Sequence, residues 1–154
     1  MFNGLRAAGF DVHIKNHADA ILQVDFYAEA AEVEKALLAM TIDVEELLAS
    51  GGGEAQSTQW LRNTLYANTW DKHNFNFEMK IDGVTQIAIS HEIDHVRRSA
   101  AGTIALEIEW NNKDPFFDRD LENFQRLHSQ SAISLGIIIT RGQTMQSEMK
   151  KLIK

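Results

Sequence analysis

Three consecutive segments with strand periodicity occupy the middle of this chain and constrain its fold more than any other feature. Residues 75–79 alternate apolar with polar side chains, as a half-buried strand does. Asp82-Gly83 predicts a tight turn into a second strand that continues through residues 84–93. A third, more apolar strand is predicted at 103–110. Together the three segments predict a β-meander.

The N-terminal part of the chain predicts two short strands followed by helices. Residues 10–14 and 20–24 have the apolar content of short β-segments. Residues 26–40 place alanine, leucine and glutamate at helical spacing. The triple glycine at 51–53 interrupts the chain, and we expect Glu54 to begin a second helix.

A helix and a further strand follow the meander. Asp118 is a candidate N-cap, and the apolar stripe of the helix that it would begin consists of Leu121, Phe124 and Leu127. Residues 135–140 form a continuous β-branched run, which is typical of a buried central strand.

The order of these elements predicts the fold class. A last helix at 143–153 completes the order helix, meander, helix, strand, helix. That order implies a mixed central β-sheet flanked by helices, an α/β fold. Since the chain has 154 residues, we expect residues 1–154 to form a single domain with its own core.

Composition narrows the function classes. The absence of cysteine excludes a disulfide framework and a thiolate zinc site. The 15 basic and 22 acidic residues give a net charge of −7, which counts against a partner bound mainly through its phosphates. A carboxylate metal site contributes negative charge of its own, however, and can coexist with a local basic groove.

No stretch approaches the roughly 20 apolar residues of a membrane span, and no secretory signal is recognisable. We therefore expect no membrane association and a cytoplasmic location.

Acidic residues mark the end of the third predicted strand. Glu107 and Glu109 would project from the same face of a strand, roughly 6.6 Å apart, and Asp94 would arrive on the adjacent strand. Three carboxylates so close together repel one another unless a cation or raised pKa values relieve them. Mg²⁺ prefers a few carboxylates together with water and a phosphate oxygen. The trio indicates a Mg²⁺ site, and the alternative is that the two glutamates merely line the solvent face of an edge strand.

The segment from His91 to His95 allows a competing interpretation, because it satisfies the H-E-x-x-H pattern of zinc proteases. That pattern requires a helix, which brings residues i and i+4 onto one face. The preceding residues have strand periodicity, and in an extended chain the two histidines would lie roughly 13 Å apart, too far to share one ion. We therefore favour the interpretation in which both histidines are bystanders around Asp94.

The segment from Glu107 to Phe124, with the sequence Glu-Ile-Glu-Trp-Asn-Asn-Lys-Asp-Pro-Phe-Phe-Asp-Arg-Asp-Leu-Glu-Asn-Phe, resembles the core of BglII-type restriction endonucleases. These enzymes belong to the wider PD-(D/E)xK nuclease superfamily, near the BamHI group. Ser90 to Asp94 resembles the family's first acidic motif, and Gly136 to Arg141 resembles its following central strand. The similarity runs over most of the chain.

The resemblance implies roles for individual residues. Asp94 and Glu107 would be metal ligands, and the backbone carbonyl of Ile108 would join the coordination. Glu109 takes the position that most superfamily members fill with lysine, as in the BamHI variant. Glu54 matches an auxiliary acidic position at a helix start that helps to hold the site.

The resemblance also implies an activity, a Mg²⁺-dependent hydrolysis of phosphodiester bonds in double-stranded DNA, as in type II restriction systems. We expect a homodimer in which each subunit cuts one strand. The candidates for contacts to the DNA backbone are Asn111, Asn112 and Lys113, although ordinary turn chemistry explains them equally well. Two alternatives stay open: a nuclease effector in defence or repair with loose sequence preference, and a non-catalytic DNA-binding module on the same fold.

Other charged residues have less specific interpretations. Arg97 and Arg98 would supply positive charge near the scissile phosphate, or would simply keep the surface soluble. Asp114, Asp118 and Asp120 resemble a second metal cluster, but we favour capping and helix-dipole roles for them.

Overall fold

In the computed structural model of this chain, which describes residues 1–48, 54–109 and 114–152, a four-stranded β-sheet lies between two groups of helices. The strands are β1 (Asp71–Ile81), β2 (Val84–Ser99), β3 (Gly102–Glu109) and β4 (Leu135–Thr140). The helices are α1 (Asn3–Ala7), α2 (Ala18–Val24), α3 (Tyr27–Ala39), α4 (Val44–Leu48), α5 (Gln56–Ala67), α6 (Asp114–Ser129) and α7 (Gln143–Leu152). No helix in these described ranges is long and apolar enough to cross a bilayer.

The sheet has the order β1-β2-β3-β4, with the first two pairs antiparallel and β3 parallel to β4. Helix α6 makes the crossover that a parallel pair requires. The predicted meander and the mixed sheet of an α/β fold are therefore confirmed.

Strand β4 lies at the edge of the described sheet, so its predicted central position is wrong. Its apolar composition has another cause, because helices cover it on both faces. Leu135 and Ile139 are buried with α3 and α5, whereas Ile138 packs against the core beneath α6. A continuous apolar run indicates that both faces of a strand are covered. It does not indicate that the strand has a neighbouring strand on each side.

Two apolar cores lie on opposite faces of the sheet. Ile104 and Leu106 of β3 face the first core, which contains residues of α1, α2, α3 and α5. Ala105, which lies between them, faces the second core together with Phe124 and Leu127 of α6. This alternation along β3 follows from the two-residue repeat of a strand.

The N-terminal predictions were only partly correct. The helix predicted at 26–40 is confirmed as α3, but residues 20–24 belong to α2 and residues 10–14 form no strand. A window of seven residues with a few apolar positions fits both periodicities, and packing of Leu22 in the first core decides for the helix. Asp118 is not an N-cap, because α6 begins four residues earlier.

The β1–β2 hairpin extends beyond the rest of the sheet. β2 pairs with β1 from Val84 to Val96, but it pairs with β3 only from His95 to Ser99. Between the pairs Asp71↔Val96 and His73↔Ile93 the register shifts by one residue. Two residues of β2, Asp94 and His95, thus oppose the single β1 residue Lys72, an arrangement typical of a β-bulge.

Candidate active site

The acidic residues lie where β2 and β3 separate. The pairing of these strands ends at His95↔Leu106, and the next residues along each strand are Asp94 and Glu107. The backbone N–H of Asp94 donates to Oε1 of Glu107 at 3.4 Å. A side-chain carboxylate therefore accepts a hydrogen bond at the end of the backbone ladder, and this fixes Glu107 beside Asp94.

A groove of about 480 Å³ opens at this point between β2, β3 and α6. It brings together Asp94, Glu107 and Glu109 with residues that the sequence analysis did not place in the site. The lining consists of Ser90, His91, Glu92, Asp94, Glu107, Glu109, Arg119, Asp120 and Asn123.

Glu107 is the most perturbed acid of the groove. Its side chain is on the α6 face of β3, and the residue is only 8% exposed. Burial raises the pKa of Glu107 to about 8, and repulsion from Asp94 and Asp120 contributes to that rise. Without a cation beside it, Glu107 is therefore largely protonated at neutral pH.

Glu109 is held by two residues of α6. Burial raises the pKa of Glu109 to about 7, and hydrogen bonding to Asp120 and repulsion from it add to the effect. The Arg119 guanidinium lies 3.5 Å from Glu109 and 3.0 Å from Asp120. Helix α6 therefore supplies both a cation and a further acid to the groove.

Asp120 was misjudged from the sequence. It is 3% exposed and lies six residues into α6, so the capping interpretation is wrong for it. Among the α6 side chains that the structure describes, from 118 onward, Asp120 is the first that is buried, whereas Leu121, which was predicted to begin the stripe, is 46% exposed. The spacing of Asp120 to Phe124 and Leu127 is i, i+4, i+7, and this spacing was the available signal.

The positive charges near the acids also differ from those predicted. Lys72 of β1 lies opposite the bulge, with its Nζ 2.7 Å from Glu92 and 3.5 Å from Asp94. Arg97 instead pairs with Glu32 of α3 at 3.3 Å, and neither Arg97 nor its neighbour Arg98 lines the groove. The positive charges near the acids are therefore those of Lys72 and Arg119, and the prediction that Arg97 and Arg98 supply them is wrong.

Glu54 lies on the α5 side of the sheet and does not line the groove. It precedes α5 by two residues, and its carboxylate pairs with Arg62 at 2.7 Å. Burial raises the pKa of Tyr66, and the negative charges of Asp94 and Glu54 contribute smaller effects.

Ile108 lies between the two glutamates of β3, and its side chain packs against the first core. Asn111, Asn112 and Lys113 fall outside the described residues, as does the glycine run at 51–53.

The two histidines of the H-E-x-x-H pattern lie on a strand, as their surroundings predicted. His95 is buried beneath α5, where its ring centroid is 5.2 Å from that of Tyr66, and burial lowers its pKa. His91 faces α6 instead and contacts Arg126. The helical geometry of a zinc protease is therefore absent from this segment.

The donor chemistry of the groove fits a hard divalent cation. Carboxylate oxygens are the ligands that Mg²⁺ prefers, and a cation would relieve the repulsion that contributes to the raised pKa values of Glu107 and Glu109. As they are placed here, no three acidic or imidazole side chains of the described residues are grouped closely enough to hold a metal ion.

Comparison with known proteins gives one finding. The family model described as Restriction endonuclease BglII/BglIII matches residues 10–153 of this chain. No curated protein matches the chain. The matched range includes all four strands and every residue of the groove.

Proposed function

The chain belongs to the BglII/BglIII restriction endonuclease family, and from this premise we propose that it is a Mg²⁺-dependent type II enzyme that hydrolyses double-stranded DNA in the groove. Membership of the family makes the chain a DNA endonuclease, which is a hydrolase. One observation carries the finer proposal: Glu107 is buried against Asp94 at the end of the β2–β3 ladder. Burying an acid beside two others is costly unless the cluster has a use.

Asp94 and Glu107 would hold the ion, together with the backbone carbonyl of Ile108. When bound, Mg²⁺ supplies a Lewis acid that offsets the negative charge growing on the phosphate oxygens. The Lys72 ammonium beside Asp94 partly neutralises this acid before an ion binds. Glu54 would act at most indirectly, from the α5 side of the sheet.

Glu109 would orient the attacking water and accept its proton. In that step the water oxygen forms a bond to phosphorus and one proton of the water passes to the Glu109 carboxylate. The bond from phosphorus to the leaving oxygen breaks, and that oxygen keeps the electron pair and takes a proton from solvent water. Arg119 contacts both Glu109 and Asp120, so it would keep the Glu109 carboxylate directed into the groove. Asp120 is then a positioning residue that acts through Arg119 and Glu109.

A homodimer is part of the proposal. The described residues form one acidic groove, and one groove cuts one strand at a time. A two-fold pair of chains would present two grooves to the two strands of a palindromic site. Sedimentation of the protein with and without DNA measures this directly, and a monomer on DNA that still makes double-strand breaks would contradict it.

The decisive experiment is incubation of supercoiled and linear DNA with Mg²⁺, Ca²⁺ or EDTA. We expect discrete fragments in Mg²⁺ only, and none from the Glu107→Gln variant. A smear of products would favour the loosely specific effector of defence or repair. DNA binding without cleavage under any divalent metal would favour the non-catalytic module and would overturn the proposed activity.

A further inference from the structure

Helix α6 carries a line of polar side chains along the groove. Arg119, Asn123 and Arg126 are spaced i, i+4, i+7, so they lie on one face of the helix. Arg119 and Asn123 line the groove itself. Arg126 lies one turn further along and reaches His91 of β2, which also lines the groove.

The two arginines of this line have different partners. Arg119 is paired with carboxylates, those of Glu109 and Asp120. Arg126 has its Nη1 3.1 Å from Nε2 of His91, and within the described ranges it forms no ion pair. Since a guanidinium can only donate, Nε2 of His91 must accept, which requires a neutral imidazole. Burial lowers the pKa of His91, and the charge of Arg126 lowers it further, in agreement with a neutral ring.

A neutral imidazole orients a guanidinium without cancelling its charge. A carboxylate in the same place would both orient and neutralise Arg126. The exposed Arg126 side chain therefore keeps a full positive charge at the rim of an otherwise acidic groove. Its planar fork of N–H donors matches the oxygens of a phosphate.

We propose that Arg126, oriented by His91, binds a phosphate of the DNA strand that lies in the groove. The inference rests on the proposed function and adds to it a second contact point on the substrate. Seven residues of helix separate Arg126 from Arg119, roughly 10 Å. That distance exceeds the axial rise of about 3.4 Å per nucleotide of one strand, so Arg126 would contact a different phosphate from the one at the acids.

The test is the salt dependence of DNA binding, measured in Ca²⁺ with a short duplex of mixed sequence. A plot of the logarithm of the binding constant against the logarithm of the salt concentration has a negative slope, and loss of one phosphate contact makes that slope shallower by about 0.9. We expect that loss, with severalfold weaker binding, for Arg126→Ala but not for Arg126→Lys. Lys35→Ala is the matched control, because Lys35 is an exposed cation of α3 on the other face of the sheet. An Arg126→Ala protein with the parent's slope would overturn the inference.

Variants of His91 test the role of the neutral partner. His91→Gln keeps an uncharged acceptor, so we expect the parent's slope. His91→Glu supplies a carboxylate that neutralises Arg126, so we expect the slope loss of Arg126→Ala. A parent slope in His91→Glu would count against the inference. A parent protein that binds no DNA in Ca²⁺ would contradict the proposed function itself, whereas a binding parent with unaffected variants would contradict only the role of Arg126.

Discussion

The surface between the sheet and α6 has two ends that are built from the same three elements and differ in chemistry. At the apolar end, Val96 and Ala105 pack against Phe124 and Leu127. At the acidic end lie the five carboxylates of Glu92, Asp94, Glu107, Glu109 and Asp120.

Burial has opposite consequences at these two ends. Apolar burial stabilises the fold by about 25 cal/mol per Å², whereas burial of Glu107 penalises its charged form and raises its pKa. Stability should therefore depend on the apolar end and activity on the acidic end. Four predictions test that separation.

The largest effect is expected for Glu107→Gln. Removing a charged group that would hold the metal ion should lower the cleavage rate on the order of a thousandfold or more, while the folded protein stays at least as stable as the parent. The measurement is cleavage of plasmid DNA in Mg²⁺ together with a thermal melt. Glu122→Gln, an exposed acid on the same helix α6, is the control and should cleave normally. A Glu107→Gln enzyme with parental activity would remove Glu107 from the site.

Phe124→Ala should mainly lower the stability of the fold. Its ring is buried in the second core and lies so close to Gly136 that a Cβ at that glycine would meet it at 2.4 Å. Truncation should lower the free energy of unfolding by about 3–5 kcal/mol, as measured by urea denaturation. Leu121→Ala, on the exposed side of α6, should cost much less. Equal losses in the two variants would mean that the helix packs with a different face.

The pH dependence of stability without metal should report the acidic end. The pKa of Glu107 is about 8 in the folded protein against an ordinary value of 4.5, so the folded state favours the protonated form. The contribution of Glu107 to the free energy of unfolding is complete below pH 4.5. It is lost as the pH rises through 8, by at most about 1.4 kcal/mol per pH unit. Thermal melts in EDTA between these pH values should show this decline, and Glu107→Gln should reduce it to the smaller part that comes from Glu109, whose pKa is raised to about 7. An equally steep decline in the variant would place the titrating group elsewhere.

Asp120→Asn should have the smallest of the four effects. The amide keeps the shape of the side chain but binds Arg119 more weakly, so Glu109 is less well oriented. We expect cleavage to fall by about 10–100-fold through kcat, with DNA affinity in Ca²⁺ unchanged. Asp118→Asn, an exposed neighbour in α6, is the control. A fall in DNA affinity alone would assign Asp120 to substrate binding.

Local patterns were sufficient for the parts of the fold that depend on neighbouring residues. The Asp82-Gly83 turn, the alternation before it and the helical spacing of α3 were all legible in the sequence. The acids at 94, 107 and 109 were found because a strand repeat puts alternate residues on one face. These are short-range properties of the backbone.

The parts that were missed depend on partners distant in sequence. Leu121 and Asp120 are adjacent, and the sheet beneath α6 decided which of them is buried. Lys72 reaches Asp94 only because the hairpin aligns residues 22 positions apart, and Arg97 turns to Glu32 only because α3 covers that face. No periodicity within a single segment reports such pairings.

The register shift in β2 has a consequence for how the chain tolerates insertions and deletions. Ile93 and Val96 are three residues apart, yet both pack in the core beneath α6, because the extra residue between them resets the alternation. Deleting one residue there would restore a regular ladder and keep the hairpin turn. It would also rotate the whole outer ribbon by half a repeat, so that the buried Phe75 and Ile93 would turn away from the core beneath α6. The extra residue at Asp94 and His95 therefore decides which face of the sheet each side chain from Val84 to Ile93 occupies.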